Sequence, residues 1–430
     1  MKNHINDLKE MRSYLLLWFT QMISGLGSAM TSYALVIWSY TQEGSALRTA
    51  LLMVCSYAPY VICSVFAGAL SDRWDKKKTM LSCDAIAALS TLVVLLLLKT
   101  GNLRIWHLYI VNAVSGLMNT VQQPASEVAT TALLPKKFYQ KVGGLRYLST
   151  SLNSILTPIV TTAIMGLWGM DVVIAIDLAG FLIAFLVLLF FIPIPGTKSE
   201  KRGEGLLKSA AEGVRWLRQN PGIFHLMLFL AAINLVASMF NAAFPALVLS
   251  KATETALGTV NAVTGVTMLT GSILASLMKV PKSRVKAIWC CLMMSMCTEN
   301  VFLALGSNVW VWSFGAVLGW IAIPWMSANL EAVNRLNIPV EIQGRVFAAR
   351  NSFQFFTIPV GYFLGGLLVD QVFEPIIAQQ PSGSIFVQLF GSGKGSGAAF
   401  LFAVLWLVGI GVCLIFRSDK HIWKLEKGND

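Results

Sequence analysis

Charge is scarce in this sequence. Only 13% of its 430 residues are Asp, Glu, Lys or Arg, against roughly 25% in a soluble chain. The deficit runs the whole length, which argues against a water-soluble enzyme. Histidine is scarcer still. His4, His107, His225 and His421 lie scattered near the ends of apolar runs, so neither a Ser-His-Asp set nor a histidine metal site can be assembled. Cysteine offers no substitute. Cys55, Cys63, Cys83, Cys290, Cys291, Cys297 and Cys413 all fall inside apolar runs without zinc-ligand spacing, and read as small unpaired core residues. The glycine-rich GSGKGSG at 391–397 is no phosphate loop: Gln388 stands where the first glycine belongs, and Gly395 follows the lysine. No cofactor, metal or ATP drive is expected. The opening MKNHINDLKEMRS reads as a polar tail rather than a signal peptide, because the apolar run after it is too long and no small-residue cleavage site closes it.

Apolar sequence is what the chain has instead. It is 56% hydrophobic, with a mean hydropathy of +0.66. A bilayer core takes about 20 apolar residues per helix. Twelve runs meet that need, at about 14–40, 49–71, 79–99, 105–125, 142–167, 172–193, 222–250, 257–279, 287–306, 309–333, 346–372 and 397–416. Helices are required, since in lipid each backbone N–H and C=O must find a partner within its own segment. The expected fold is therefore an all-α polytopic membrane protein with twelve spans. Of 33 Lys and Arg, all but Arg48, Lys99, Arg104, Lys251 and Lys394 fall on one set of alternate loops. The positive-inside rule then puts both termini in the cytoplasm. The net charge of +12 marks those loops and not a nucleic-acid partner. Residues 194–221 are the longest polar stretch, with Leu206, Leu207, Ala210, Val214 and Leu217 at helical spacing, and read as a cytoplasmic linker carrying a surface amphipathic helix. The expected organisation is a six-helix half over 1–193, this linker over 194–221, a second half over 222–416, and a cytoplasmic tail over 417–430.

The halves echo each other. Pro124 and Gly144 recur as Pro324 and Gly344 at an offset of 200, and Pro158 recurs as Pro359 at 201. Pseudo-symmetric halves of this kind are typical of secondary transporters, with the substrate site at their interface. Polar residues repeat on single helical faces: Gln21, Ser24 and Ser28 in span 1; Asn112, Asn119 and Gln122 in span 4; Asn234, Ser238 and Asn241 in span 7. Trp325 and Asn329 in span 10, with Asn351 and Gln354 in span 11, extend the set. Such stripes serve either as hydrogen-bonding glue between helices or as the wall of a wetted pathway. A site so lined, with almost no fixed charge, suits a bulky and mostly apolar molecule better than a sugar, phosphate or dicarboxylate. Proton coupling needs an ionisable group within the spans. The coupling candidates are Asp177 and Glu299, inside spans 6 and 9, and Asp84, which with Glu127 and Asp370 reads as lying near a membrane face.

The stretch FAGALSDRWDKKKTM, 66–80, packs six charges between spans 2 and 3. Gly68, Asp72, Arg73, Lys76 and Lys77 resemble the G-x-x-x-D-R-x-G-R-R signature of the major facilitator superfamily, with Asp75 where that family has a glycine suited to a left-handed turn. The resemblance implies a 6+6 fold in which spans 1, 4, 7 and 10 line a central cavity. It also implies an inner gate latch: Asp72 on the start of span 11 near Gly344 and Arg345, and Lys76 on Glu127. LWFTQMISGLGSAMTSYALVIW (17–38), QQPASEVATTALLP (122–135), IQGRVFAARNSF (342–353) and IPVGYFLGGLLVD (358–370) resemble the macrolide-efflux branch, drug:proton antiporter family 3. That implies a monomeric bacterial plasma-membrane exporter of hydrophobic or amphiphilic drugs, driven by protons, surrounded by lipid and without enzymatic activity. Export of an endogenous metabolite such as a siderophore, or lipid flipping or scrambling, are the alternatives.

Overall fold

In the computed structural model, residues 10–133, 139–194, 206–339, 346 and 353–426 are described, with 64–73, 131, 139–144, 146–148, 206–211, 335 and 426 described by their backbone alone. These residues form helices and no strand. Spans 1 to 6 become α1 (Arg12–Glu43), α2 (Ala46–Arg73), α3 (Lys76–Lys99), α4 (Ile105–Leu133), α5 (Tyr139–Trp168) and α6 (Met170–Phe191). The amphipathic segment is α7 (Leu206–Gln219). Spans 7 to 9 are α8 (Pro221–Lys251), α9 (Glu254–Leu277) and α10 (Arg284–Leu305). Span 10 is divided into α11 (Val309–Trp320) and α12 (Ile323–Asn337). Span 11 contains α13 (Thr357–Leu367), a π-helical turn (Leu368–Phe373) and α14 (Glu374–Ala378). The short α15 (Ile385–Phe390), then α16 (Ser396–Arg417) as span 12 and α17 (Lys420–Trp423), complete the chain.

Ten of these segments are long and apolar enough to cross a membrane. The two expected spans missing from that set are α1 and α4, which have length to spare at 32 and 29 residues. Their shortfall is in apolarity, and it comes from the polar stripes they carry.

The described chain forms two compact units. One comprises Met1–Val36 with Cys55–Leu206, the other Ile37–Val54 with Leu207–Asp430. In the first, α3 packs on α4 and α6. Leu17, Met80, Ala125, Ala129, Leu188 and Ile192 form a shared core there. Backbones meet where glycine allows it. A Cβ on Gly27 of α1 would stand 2.9 Å from Asp177 Cα in α6, and one on Gly116 of α4 would stand 2.1 Å from the Ser56 carbonyl oxygen in α2. Small residues at such crossings let apolar helices gain van der Waals contact.

The α2–α3 corner differs from the expectation for Asp75. Its φ is −63° and ψ 121°, extended rather than left-handed, and it is the N-cap of α3, accepting from the Lys78 N–H at 2.9 Å. A short carboxylate at this position satisfies a backbone donor with no partner inside the helix, so the turn needs no glycine.

In the second unit, α13 lies along α8 and α10 along α16. Phe240 stacks on Phe244 at 5.7 Å and meets Phe402 edge-on at 5.2 Å. Proline has unequal effects across the two units. Pro124 and Pro158 sit within continuous α4 and α5, yet at Pro324 the helix breaks over Ile321–Ala322. Pro324 has no N–H to give the carbonyl of Trp320. The crossing with α9 is tight there, a Cβ on Gly271 falling 2.2 Å from the Ile321 oxygen.

Candidate substrate cavity

All six polar residues singled out on spans 1 and 4 come together in the first unit. Gln21, Ser24, Ser28, Asn112, Asn119 and Gln122 line one cavity of about 320 Å³. Ser32 and Ser115 extend the same two stripes into it. A neighbouring cavity of about 740 Å³ shares Gln21, Asn119 and Gln122 and is further lined by Tyr14, Trp18, Ser126, Glu127 and Asn153. Both volumes fall in the range of sites that hold drug-sized ligands, roughly 300–1,000 Å³. The stripes persist because residues three and four apart share a helical face. Part of their hydrogen bonding is local: Ser28 Oγ donates to the Ser24 carbonyl at 3.1 Å, and Asn112 Nδ2 to that of Leu108 at 2.9 Å.

Two carboxyls enter the smaller cavity. Asp84 of α3 is 5% exposed. It accepts from Gln122 Nε2 at 2.7 Å and from Gln21 Nε2 at 3.4 Å. Asp177 of α6 accepts from Ser28 Oγ at 3.1 Å and is buried beneath Gly27. Among the described residues, no Lys or Arg lines either cavity. Asp84 thus opens into a cavity of the first unit. It follows the first residue of α3 by eight positions, about 12 Å along the axis. The two carboxyls depart from the expectation of a site with almost no fixed charge.

The polar residues of the second unit are used differently. Ser238 Oγ bonds back to the Asn234 carbonyl at 2.7 Å, and Asn234 Nδ2 reaches the Gln354 carbonyl at 3.4 Å. Asn329 is buried, donates to the Trp325 carbonyl at 2.9 Å and accepts from Arg284 at 3.4 Å. Asn241 is exposed. Glu299 of α10 is buried against α11, where Trp320 Nε1 donates to it at 2.8 Å and Gly319 abuts it. None of these residues lines the two cavities.

Of the gate residues, Gly68, Asp72 and Arg73 belong to the part of α2 described by backbone alone, and Gly344 and Arg345 lie outside the described residues, as does Asn351 of the cavity set. Lys76 is buried and donates to the Trp74 carbonyl at 3.1 Å. Lys77 Nζ donates to the carbonyls of Leu189 and Ile192 at 3.0 and 2.9 Å, a cation on the C-terminus of α6. Glu127 faces the larger cavity. Sequence reasoning missed the α5 wall of that cavity, Ser149, Thr150 and Asn153. The run LSTSLNS carried the signal, a polar face with three-and-four spacing.

Membrane-length helices around a polar internal cavity define a multi-pass membrane transporter. The profile of the Major Facilitator Superfamily matches residues 17–298, and the chain belongs to that superfamily. It is similar to Macrolide efflux protein A of Streptococcus pyogenes, 26% identical over 364 residues that cover 83% of this chain and 89% of that protein. The multidrug efflux pump Tap of Mycolicibacterium fortuitum is 21% identical over 369 residues, 83% of this chain and 89% of the pump. Among solved structures, a mutant of the nucleoside transporter NupG matches with a TM-score of 0.68 at 11% identity, over 94% of this chain and 99% of that one. At such identity the likeness is one of fold.

Proposed function

We propose that the protein exports bulky amphiphilic molecules, macrolide-like drugs foremost, across the plasma membrane by alternating access coupled to inward movement of protons. The observation that carries this reading is the meeting of two striped helices and two carboxyls at one cavity that no Lys or Arg lines among the described residues. Macrolides present a large apolar surface with a few hydroxyls and one basic amine. Apolar residues such as Leu17 and Met22, the indole of Trp18 and the amides of Gln21, Asn119 and Gln122 supply matching contacts. A carboxyl held only by neutral donors can exchange a proton for substrate, which makes Asp84 and Asp177 better placed for coupling than Glu299. The names of the similar proteins point the same way. Both termini are taken as cytoplasmic from the Lys and Arg bias.

Everted vesicles loaded by export of a labelled macrolide test this. Uptake should persist without ATP under an imposed pH gradient and collapse with a protonophore. Uptake that follows ATP would reject the proposal. Movement of fluorescent phospholipid indifferent to the gradient would favour lipid handling, and accumulation of an iron chelator in cells lacking the protein would favour metabolite export.

A further inference from the structure

The turn between α1 and α2 is held by a residue more than 300 positions away. Ser45 is the N-cap of α2, its hydroxyl accepting from the Arg48 N–H at 3.1 Å. That hydroxyl donates to Asp370 Oδ2 at 2.5 Å, and the carboxylate also accepts the N–H of Ala46 at 3.1 Å and of Leu47 at 2.9 Å. One side chain thus satisfies two donors that the first turn of any helix leaves without partners, and its negative charge faces the positive end of the α2 dipole. The backbones come close at the same place, a Cβ on Gly366 falling 2.5 Å from Leu47 Cα. Asp370 sits in the π-helical turn before Pro375. That proline cannot donate to the carbonyl four residues back, and π-turns of this kind recur at functional positions.

The position of this contact in the chain matters. The tip Ile37–Val54 belongs to the second unit, while the remainder of α1 and α2 belongs to the first. Any movement of the first unit as a body must bend both helices near residues 36 and 55 or draw the tip away from Asp370. We propose that the Asp370 carboxylate on the α2 N-terminus is a releasable clamp, closed while this end of the pathway is shut and broken each time it opens. The Lys and Arg bias puts this end outside the cell. The clamp rests on the alternating-access reading above. It is reciprocal to the inner latch that the resemblance implies: there the far end of α2 supplies the carboxylate and span 11 the N-terminus, and here the roles are exchanged.

Full-length protein carrying Ser45→Cys and Asp370→Cys, oxidised to a disulfide, should stop exporting macrolide and recover on reduction. In a second experiment Ala50→Cys, buried behind the clamp in α2, reports opening through its reaction with an impermeant maleimide on intact cells. Asp370→Asn should speed that reaction about tenfold, the scale of one charge-assisted hydrogen bond, and Ser45→Ala by a smaller factor. Cross-linked protein exporting as fast as reduced protein would overturn the clamp, as would labelling unchanged in both variants. Should the parent protein export no macrolide, the function above fails, while the labelling rates still decide the clamp.

Discussion

Polar side chains of the first unit border two cavities, whereas Ser238 and Asn329 of the second are buried among hydrogen-bond partners and Asn241 is exposed. Gln21, Asn119 and Gln122 border two cavities, but Asn329 is fixed between Trp325 and Arg284 and Ser238 returns its hydrogen to its own helix. The carboxyls follow the same division. Asp84 and Asp177 reach a cavity, and Glu299 is enclosed against Trp320. A polar group that water can reach needs no partner, and one in a dry interior costs about 1–3 kcal/mol without one. Both sets follow the three-or-four spacing of one helical face, so a stripe becomes a wall only where neighbouring helices stand back from it.

The largest test of this contrast is to neutralise the acids in both settings. Asp84→Asn and Asp177→Asn should each cut protonophore-sensitive macrolide export at least about tenfold, or 1.4 kcal/mol. Glu299→Gln keeps an acceptor for Trp320 and should leave export within about twofold. Equal losses at all three positions in vesicle transport would erase the distinction. Packing comes next. Gly27→Leu drives a side chain into the Asp177 backbone and should lower the melting temperature of detergent-solubilised protein, by an overpacking cost of about 1–3 kcal/mol. Normal stability in that variant would mean that α1 and α6 do not meet as closely as 2.9 Å implies.

A subtler comparison uses the amides. Asn119→Ala should alter the order in which a panel of drugs is exported, with little change in melting temperature. Asn329→Ala should do the reverse, lowering stability by about 1 kcal/mol and scaling export of every drug alike. The smallest effect belongs to the C-terminal tail. Burial opposes the charge of Asp419, but hydrogen bonds from His225 and the His421 N–H outweigh it and hold its pKa below the usual carboxylate range. A depressed carboxyl pKa stabilises the folded contact above the unfolded pKa, and that stabilisation is lost as pH falls through the folded one. Hydrogen-exchange protection at His421 should therefore hold near pH 7 and decline below about pH 4. Protection that is flat across this range would remove the carboxylate from the account.

Much of this architecture is legible in the sequence because a bilayer imposes length and apolarity on every span. The stripes of α1 and α4 were readable for the same reason, as interruptions of an otherwise apolar run. Three features were not. The cavity setting of Asp84 depends on Gln21 and Gln122 from two other helices, which the sequence around Asp84 does not reveal. The split of span 10 could not be told from the intact α4 and α5, since each carries one proline and tertiary contact at Gly271 accompanies the break. The Asp370 contact joins positions 324 residues apart, a relation no local pattern encodes.

The low apolarity of α1 has a consequence for biogenesis. A segment that interrupts its apolar surface with Gln21, Ser24, Ser28 and Ser32 gains little by entering lipid alone, because each polar group near the centre of a span subtracts from the insertion free energy. Such a span is poorly suited to leave water unaided, and α4 shares the handicap. Their partners are among the most apolar spans: α6, which takes α1 at Gly27, and α3, which packs along α4. Commitment of the first unit to the membrane is then expected to rest on α2, α3, α5 and α6, each apolar enough to cross it, with α1 and α4 held in place by helix contact.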